Sequence, residues 1–262
     1  MRSDNVIQKI EEYYPPEYAM DWDNVGLLVG ESEKEIHRIY ITLDATDEVI
    51  DDAVKWGADL ILMHHPLIFK AMKRVNDGDF IGRRLIKLIK NDIACYAMHT
   101  NYDVKGMADL AADILGMEAP EVFEVTYTDE NTGEVEGIGR CANLKIPKTV
   151  KECGKIVKEK FNLPSIRIFG DPDRVIEKIA IFPGSGKSAI QEAIRQDVDL
   201  LITGDIDHHE GIDSVAQGLV IMDAGHYGIE HIYIEDMKNF CRKHFPEIEV
   251  KTAAIKHPFW VM

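Results

Sequence analysis

No apolar run in this 262-residue chain approaches the roughly twenty residues that a membrane-spanning helix needs. The opening segment, MRSDNVIQKIEEYYPPEY, lacks the apolar core of a signal peptide and reads as an amphipathic helix, so a cytoplasmic protein is expected. The four cysteines (Cys95, Cys141, Cys153 and Cys241) form no CxxC pair. That spacing argues against disulfides and zinc ribbons and leaves buried apolar thiols as the reading. Basic charge is also scarce: 30 Lys and Arg face 46 Asp and Glu, a net charge of −16. A general nucleic-acid binder needs a basic stripe to release counterions, so that class is set aside. A small anionic substrate stays open, because a local basic pocket is enough to hold one.

What remains is an ordinary globular composition, 45% hydrophobic and 29% charged. Apolar periodicity alternates between short strands and longer helices, which points to an α/β fold. Strands are expected over Ile39–Leu43, Leu60–Met63, Ile93–Met98, Lys178–Phe182, Leu200–Thr203 and Leu219–Met222. Helices are expected over Glu48–Trp56, Gly82–Lys90, Met107–Leu115, Ser188–Arg195 and His231–His244. A weak internal repeat organises them. HRIYITLDATDEVIDDAVKWGADLILMHH overlays EKIAIFPGSGKSAIQEAIRQDVDLLITGD at an offset of 140, pairing Ile39 with Ile179, Ala53 with Ala193 and Asp59 with Asp199. Generic strand–helix–strand patterning would produce a similar overlay. As a true repeat it predicts two similar α/β lobes, with mostly parallel or mixed sheets flanked by helices and a metal site in the crevice between them, at the carboxyl ends of the strands. The expected division is a first lobe over 1–120, a hairpin connector over 121–147 around the polar turn TDENTGE, and a second lobe over 148–262.

Four polar clusters follow expected strands. Met63-His64-His65-Pro66 ends one; adjacent side chains on a strand point to opposite faces, so both imidazoles reach one place only if the strand stops there, as Pro66 favours, and either histidine alone reads as a satisfied polar residue. His99-Thr100-Asn101-Tyr102-Asp103 ends another, and Asp103 taken alone reads as a turn or cap residue. In Asp223–His231, a helix starting near His226 puts His226 and Glu230 on one face at i and i+4, as metal ligands or as a solvated pair. Gly204-Asp205-Ile206-Asp207-His208-His209-Glu210 occupies the repeat position of the first histidine pair and reads as a substrate-side cluster or as a helix start. Pro183-Gly184-Ser185-Gly186-Lys187-Ser188 ends in GKS, but Ile181 stands where a Walker A loop needs its first glycine. The turn Gly184-Ser185-Gly186 is left as either an anion-binding loop or a plain tight turn.

Together, three imidazoles and two carboxylates at strand ends make a nitrogen and oxygen donor set suited to zinc, iron, manganese or nickel. Five donors exceed one tetrahedral site and suit two divalent ions, typically about 3.5–4 Å apart, that activate water.

DWDNVGLLVG (Asp21–Gly30), LDAT (Leu43–Thr46), MHHP, HTNYD, PGSGKS, GDIDHH and DAGHYGIEH run in order over most of the chain. In these segments the chain resembles the NGG-interacting-factor-three-like family, whose members are often labelled GTP cyclohydrolase I type 2 homologs. The resemblance implies metal ligands at His64, His65, Asp103, His226 and Glu230, with Glu230 as the bridge, in a two-lobed fold assembled as a toroidal homohexamer. It also implies ring opening of a purine at C8 with release of formate, for which His99 and His208 are the acid–base helpers. The expectation is therefore a metal-dependent hydrolase of a nucleotide or related small molecule, with no membrane partner. A dinuclear-metal phosphoesterase and a non-catalytic metal-binding or regulatory protein are the alternatives.

Overall fold

Residues 1–262 are described by a computed structural model. The chain divides into two units: the first comprises Met1–Tyr102 and Tyr233–Ile255, the second Asp103–Ile232 and Lys256–Met262.

The first unit holds a five-stranded mixed sheet in the order β1-β4-β3-β2-β11. Its strands are β1 (Gly26–Val29), β2 (Arg38–Thr42), β3 (Leu60–Met63), β4 (Ala94–Ala97) and β11 (Glu249–Thr252). β2, β3, β4 and β11 run parallel, and β1 closes the edge antiparallel to β4. The middle strands are buried on both faces, which explains their near-continuous apolar runs. Alternate residues Tyr40, Ile61, Met63, Cys95 and Ala97 join one core cluster with Ile50 and Ala53 of α2 (Asp47–Trp56) and Leu85 and Leu88 of α3 (Phe80–Lys90). The opposite parity serves the other face: Tyr96 donates to Glu11 at the end of α1 (Ser3–Glu11), and Tyr13 and Tyr14 pack on Phe240 of α10 (Ile232–His244). Between β4 and the second unit lies one short turn, α4 (Thr100–Tyr102).

The second unit opens with a π-helical turn, Asp103–Met107, running into α5 (Ala108–Leu115). Its six-stranded sheet has the order β5-β6-β8-β9-β10-β7. The strands are β5 (Glu121–Thr128), β6 (Val135–Thr149), β7 (Arg167–Phe169), β8 (Val175–Ser185), β9 (Leu200–Gly204) and β10 (Val220–Asp223). β8, β9 and β10 are parallel; β6 and β7 flank them antiparallel. One face is covered by α6 (Val150–Lys160), whose Val150, Cys153 and Val157 pack with Ile179, Ile181, Ile202 and Met222. Thr149 and Glu152 form a reciprocal capping box at the start of α6, a start signal visible in the sequence. The remaining helices are α7 (Ile190–Arg195), α8 (His208–Ala216) and α9 (His226–Glu230).

The repeat is real at the level of single hydrogen bonds. β2 and β3 pair Ile39 with Leu60 and Ile41 with Leu62; β8 and β9 pair Ile179 with Leu200 and Ile181 with Ile202, the same register 140 positions on. The Asp59 carboxylate accepts from the amides of His37 and Arg38, and that of Asp199 from the amides of Glu177 and Lys178. Arg38 donates to the carbonyl of Trp56, and Lys178 to that of Gln196.

The sheets divide the chain differently from the expected 1–120, 121–147 and 148–262. The hairpin forms, its turn built by Asp129 accepting from the Asn131 and Thr132 amides, but β6 pairs directly with β8. It is thus part of the second sheet rather than a connector. At the other end α10 and β11 return to the first sheet, where β11 covers the open edge of β2. α7 starts at Ile190 rather than Ser188, because Gly186–Ala189 closes a turn first. All four cysteines are free and buried, as expected. No helix is long and apolar enough to cross a membrane.

Candidate functional site

In the first unit the site grows from the ends of β3 and β4. The amides of His64 and His65 continue the ladder by donating to the carbonyls of Thr42 and Leu43, and Pro66 stops it. Their rings then lie 4.9 Å apart, tilted by 47°, with the His99 ring 5.3 Å from one and 5.5 Å from the other. One ligand atom from each of His64, His65 and His99 falls within 4.8 Å of the others, an arrangement that could hold a metal ion.

Each ring is oriented by a partner on Nδ1. His64, fully buried, has Nδ1 2.8 Å from the Met98 carbonyl oxygen. A carbonyl only accepts, so Nδ1 carries the proton and Nε2 keeps its lone pair. His65 Nδ1 lies 2.8 Å from Asp44, and His99 Nδ1 2.9 Å from Asp23. Metal-binding histidines typically donate their second nitrogen to a carboxylate or carbonyl in this way, which fixes the tautomer and raises ligand basicity. Asp23 also accepts from the amide and hydroxyl of Thr100. Burial opposes its charge, but the bonds from His99 and Thr100 outweigh that and hold its carboxyl down at about 2.

In the second unit, α9 begins at His226 and carries Glu230 one turn on, as the i,i+4 spacing predicts. His226 Nε2 lies 2.9 Å from Glu230 Oε2, while its Nδ1 lies 2.8 Å from Asp205. A ring flanked by a carboxylate at each nitrogen needs a proton or a metal ion on the Glu230 side. Glu230 is buried, and Asp103, also buried, opens the π-helical turn; such turns recur at functional sites. Asp205 holds an unusual positive φ of 58° at the repeat position of His65, so the residue equivalent to one imidazole supports another, that of His226.

The turn Gly184-Ser185-Gly186, read as an anion-binding loop or a plain tight turn, adjoins Glu230. Gly184 has φ of 78°, and a Cβ there would come within 2.6 Å of Glu230 Oε1 and 3.7 Å of His226 Nε2. The Gly186 amide donates to the Gly204 carbonyl, and Lys187 pairs with Glu210. The turn therefore lets the backbone approach the His226–Glu230 pair. His208 is exposed at the start of α8, its ring against that of His209. Asp23 and Asp44 lie in the segments DWDN and LDAT, but their acceptor role depends on contacts across the fold that the sequence does not display.

Comparison with known proteins places the chain in a family. A Clostridium perfringens protein described as a GTP cyclohydrolase 1 type 2 homolog is 40% identical over 232 residues, covering 88% of this chain and 87% of its own. A Streptococcus pneumoniae protein of the same description is 38% identical over 241 residues, covering 90% and 88%. The crystal structure of a Bacillus cereus protein related to NIF3 shares the fold with a TM-score of 0.91 at 24% identity, covering 100% of this chain and 99% of its own. The family model Duf34/NIF3 (NGG1p interacting factor 3) matches residues 1–258, and the chain belongs to that family.

Proposed function

We propose that this protein is a metal-dependent hydrolase of a nucleotide or related small molecule. In this reading His64, His65, Asp103, His226 and Glu230 would hold two divalent ions, with Glu230 as the shared carboxylate, and His99 would be a further donor rather than an acid–base helper. The observation that carries it is the histidine trio of the first unit, each ring oriented through Nδ1 and the three ligand atoms within 4.8 Å. The His226–Glu230 pair, supported by Asp205, adds the carboxylate that a dinuclear centre needs. A donor set of imidazole and carboxylate without thiolate favours an open catalytic site over a closed structural one. Ions in such a set supply a water of lowered pKa and polarise a substrate oxygen. Zinc, iron, manganese and nickel all suit these donors.

The protein's own groups do the positioning. Asp44, Asp23, Asp205 and the Met98 carbonyl set the ring planes, and Gly184 leaves room for the Glu230 carboxylate. The name borne by the relatives makes GTP the first substrate to test, with hydrolytic opening of the purine at C8 and release of formate; His208 is assigned as a proton carrier for that reaction. A toroidal homohexamer is the proposed assembly, checked by light scattering.

The test is formate release from GTP by metal-loaded protein, abolished in Glu230→Ala. Release of phosphate instead would move the assignment to a dinuclear phosphoesterase. No turnover across a nucleotide panel, with metal binding intact, would make the site a metal store or sensor.

A further inference from the structure

Trp22 and Phe69 are 58% and 51% exposed, yet neither sits on a loose loop. Their rings lie 5.8 Å apart, tilted by 56°, and both meet the ring of His99, at 5.9 and 6.2 Å. The segment carrying Trp22 is pinned on each side: Met20 donates to Thr100, and Asp23 accepts from His99 and Thr100. Asn24 donates to the Ile68 carbonyl at 2.6 Å, tying this segment to the one that carries Phe69. Single exposed aromatics are ordinary. Two in contact, both against one histidine of the metal trio, form a built platform.

Beyond Phe69 the chain reads Lys70-Ala71-Met72-Lys73-Arg74. Phe69, Lys70, Lys73 and Arg74 line a cavity of about 540 Å³, within the range of small-ligand sites. The three cations are exposed and outside the ion pairs that engage Lys9, Lys34, Arg84 and Lys87 in the same unit. Unpaired cations gathered at one place are unexpected in a chain of net charge −16. The carboxylate on this cavity, Asp79, is engaged as the cap of α3, accepting from the Gly82 amide.

We infer that Trp22 and Phe69 stack the base, and Lys70, Lys73 and Arg74 bind the phosphates, of a purine nucleotide presented to the histidine trio. This inference rests on the hydrolase reading above and adds the subsite that selects its substrate. The division of labour has a consequence. A nucleoside is held by the rings alone and an inorganic polyphosphate by the cations alone, because stacking tolerates any π-face and phosphate binding needs only charge.

The test is calorimetric titration of metal-loaded protein with GTP, guanosine and inorganic tripolyphosphate. Trp22→Ala should weaken GTP and guanosine about tenfold or more and leave tripolyphosphate unchanged, with Trp22→Phe restoring most of the loss. The triple variant Lys70→Glu, Lys73→Glu, Arg74→Glu should weaken GTP and tripolyphosphate and spare guanosine. Metal content should stay at the wild-type level in every variant. GTP affinity unchanged in both the Trp22→Ala and the triple variants would overturn the subsite while formate release and metal content still upheld the hydrolase. A smaller assembly in Trp22→Ala with unchanged GTP affinity would also overturn it, by making the platform a contact between copies. Wild-type protein that binds its metal and none of the three probes would overturn it as well.

Discussion

Replacing Gly184 by alanine separates the geometry of the His226–Glu230 pair from the stability of the fold. Two costs arise at this position. The first is conformational: φ of 78° is left-handed backbone, which costs a residue with a Cβ about 1–2 kcal/mol. For a chain of this size that lowers Tm by a few degrees. The second is steric, with the new Cβ 2.6 Å from Glu230 Oε1. A flexible carboxylate would swing away at little cost, but Glu230 is buried and its other oxygen lies 2.9 Å from His226. The expected result is a displaced carboxylate in a folded protein, with metal affinity reduced about tenfold or more, comparable to the loss of a supporting contact at other metal sites. Gly218→Ala is the control. Its φ is 90° and a Cβ there meets nothing within 4 Å, so it carries the conformational cost alone. Metal affinity is read by competition with a chromophoric chelator and stability by thermal unfolding. Equal loss of Tm in both variants, with wild-type metal affinity in Gly184→Ala, would refute Glu230 as a ligand in this position.

Three further outcomes are expected. Asp23→Asn should weaken metal binding about 10- to 100-fold by releasing the His99 ring, and should flatten the acid limb of stability. The Asp23 carboxyl is lowered from 3.8 to about 2 on folding, so its contribution is complete above pH 4 and fades as pH falls towards 2; acid titration followed by circular dichroism reads the difference. Asp59→Ala and Asp199→Ala should each cost about 1–3 kcal/mol in urea unfolding, because each strips a carboxylate from two amides at equivalent places in the repeat; a large effect in one and none in the other would break the energetic equivalence of the halves. Removing metal with a chelator should lower Tm, by about 2.7 kcal/mol of stability when free metal stands at a hundred times its Kd, and an unchanged Tm would argue against tight binding to the folded state.

Much of the architecture was legible because both units rest on parallel strands buried on two faces, which leave continuous apolar runs such as Leu60–Met63 and Leu200–Thr203. The repeat was legible for the same reason, and Asp59 with Asp199 marks it chemically. The division into units was not. β11 is a short strand of mixed polarity, and nothing local says that it returns to the edge of β2. Likewise the spacing of His226 and Glu230 on a helix was readable at i,i+4, whereas Gly184 beside them depends on where β8 ends. The supports Asp23 and Asp44 show the same limit: they lie 76 and 21 residues from the histidines they orient. The acid–base role of His99 came with the family resemblance, and the distances of its ring from those of His64 and His65 are what favour the donor role proposed above.

Metal analysis of protein purified without chelator decides whether these imidazoles and carboxylates hold metal. Two divalent ions per chain are expected in the native protein, with a clear loss in both His64→Ala and Glu230→Ala. Fewer than one ion per chain, unchanged by either substitution, would contradict the two-ion reading.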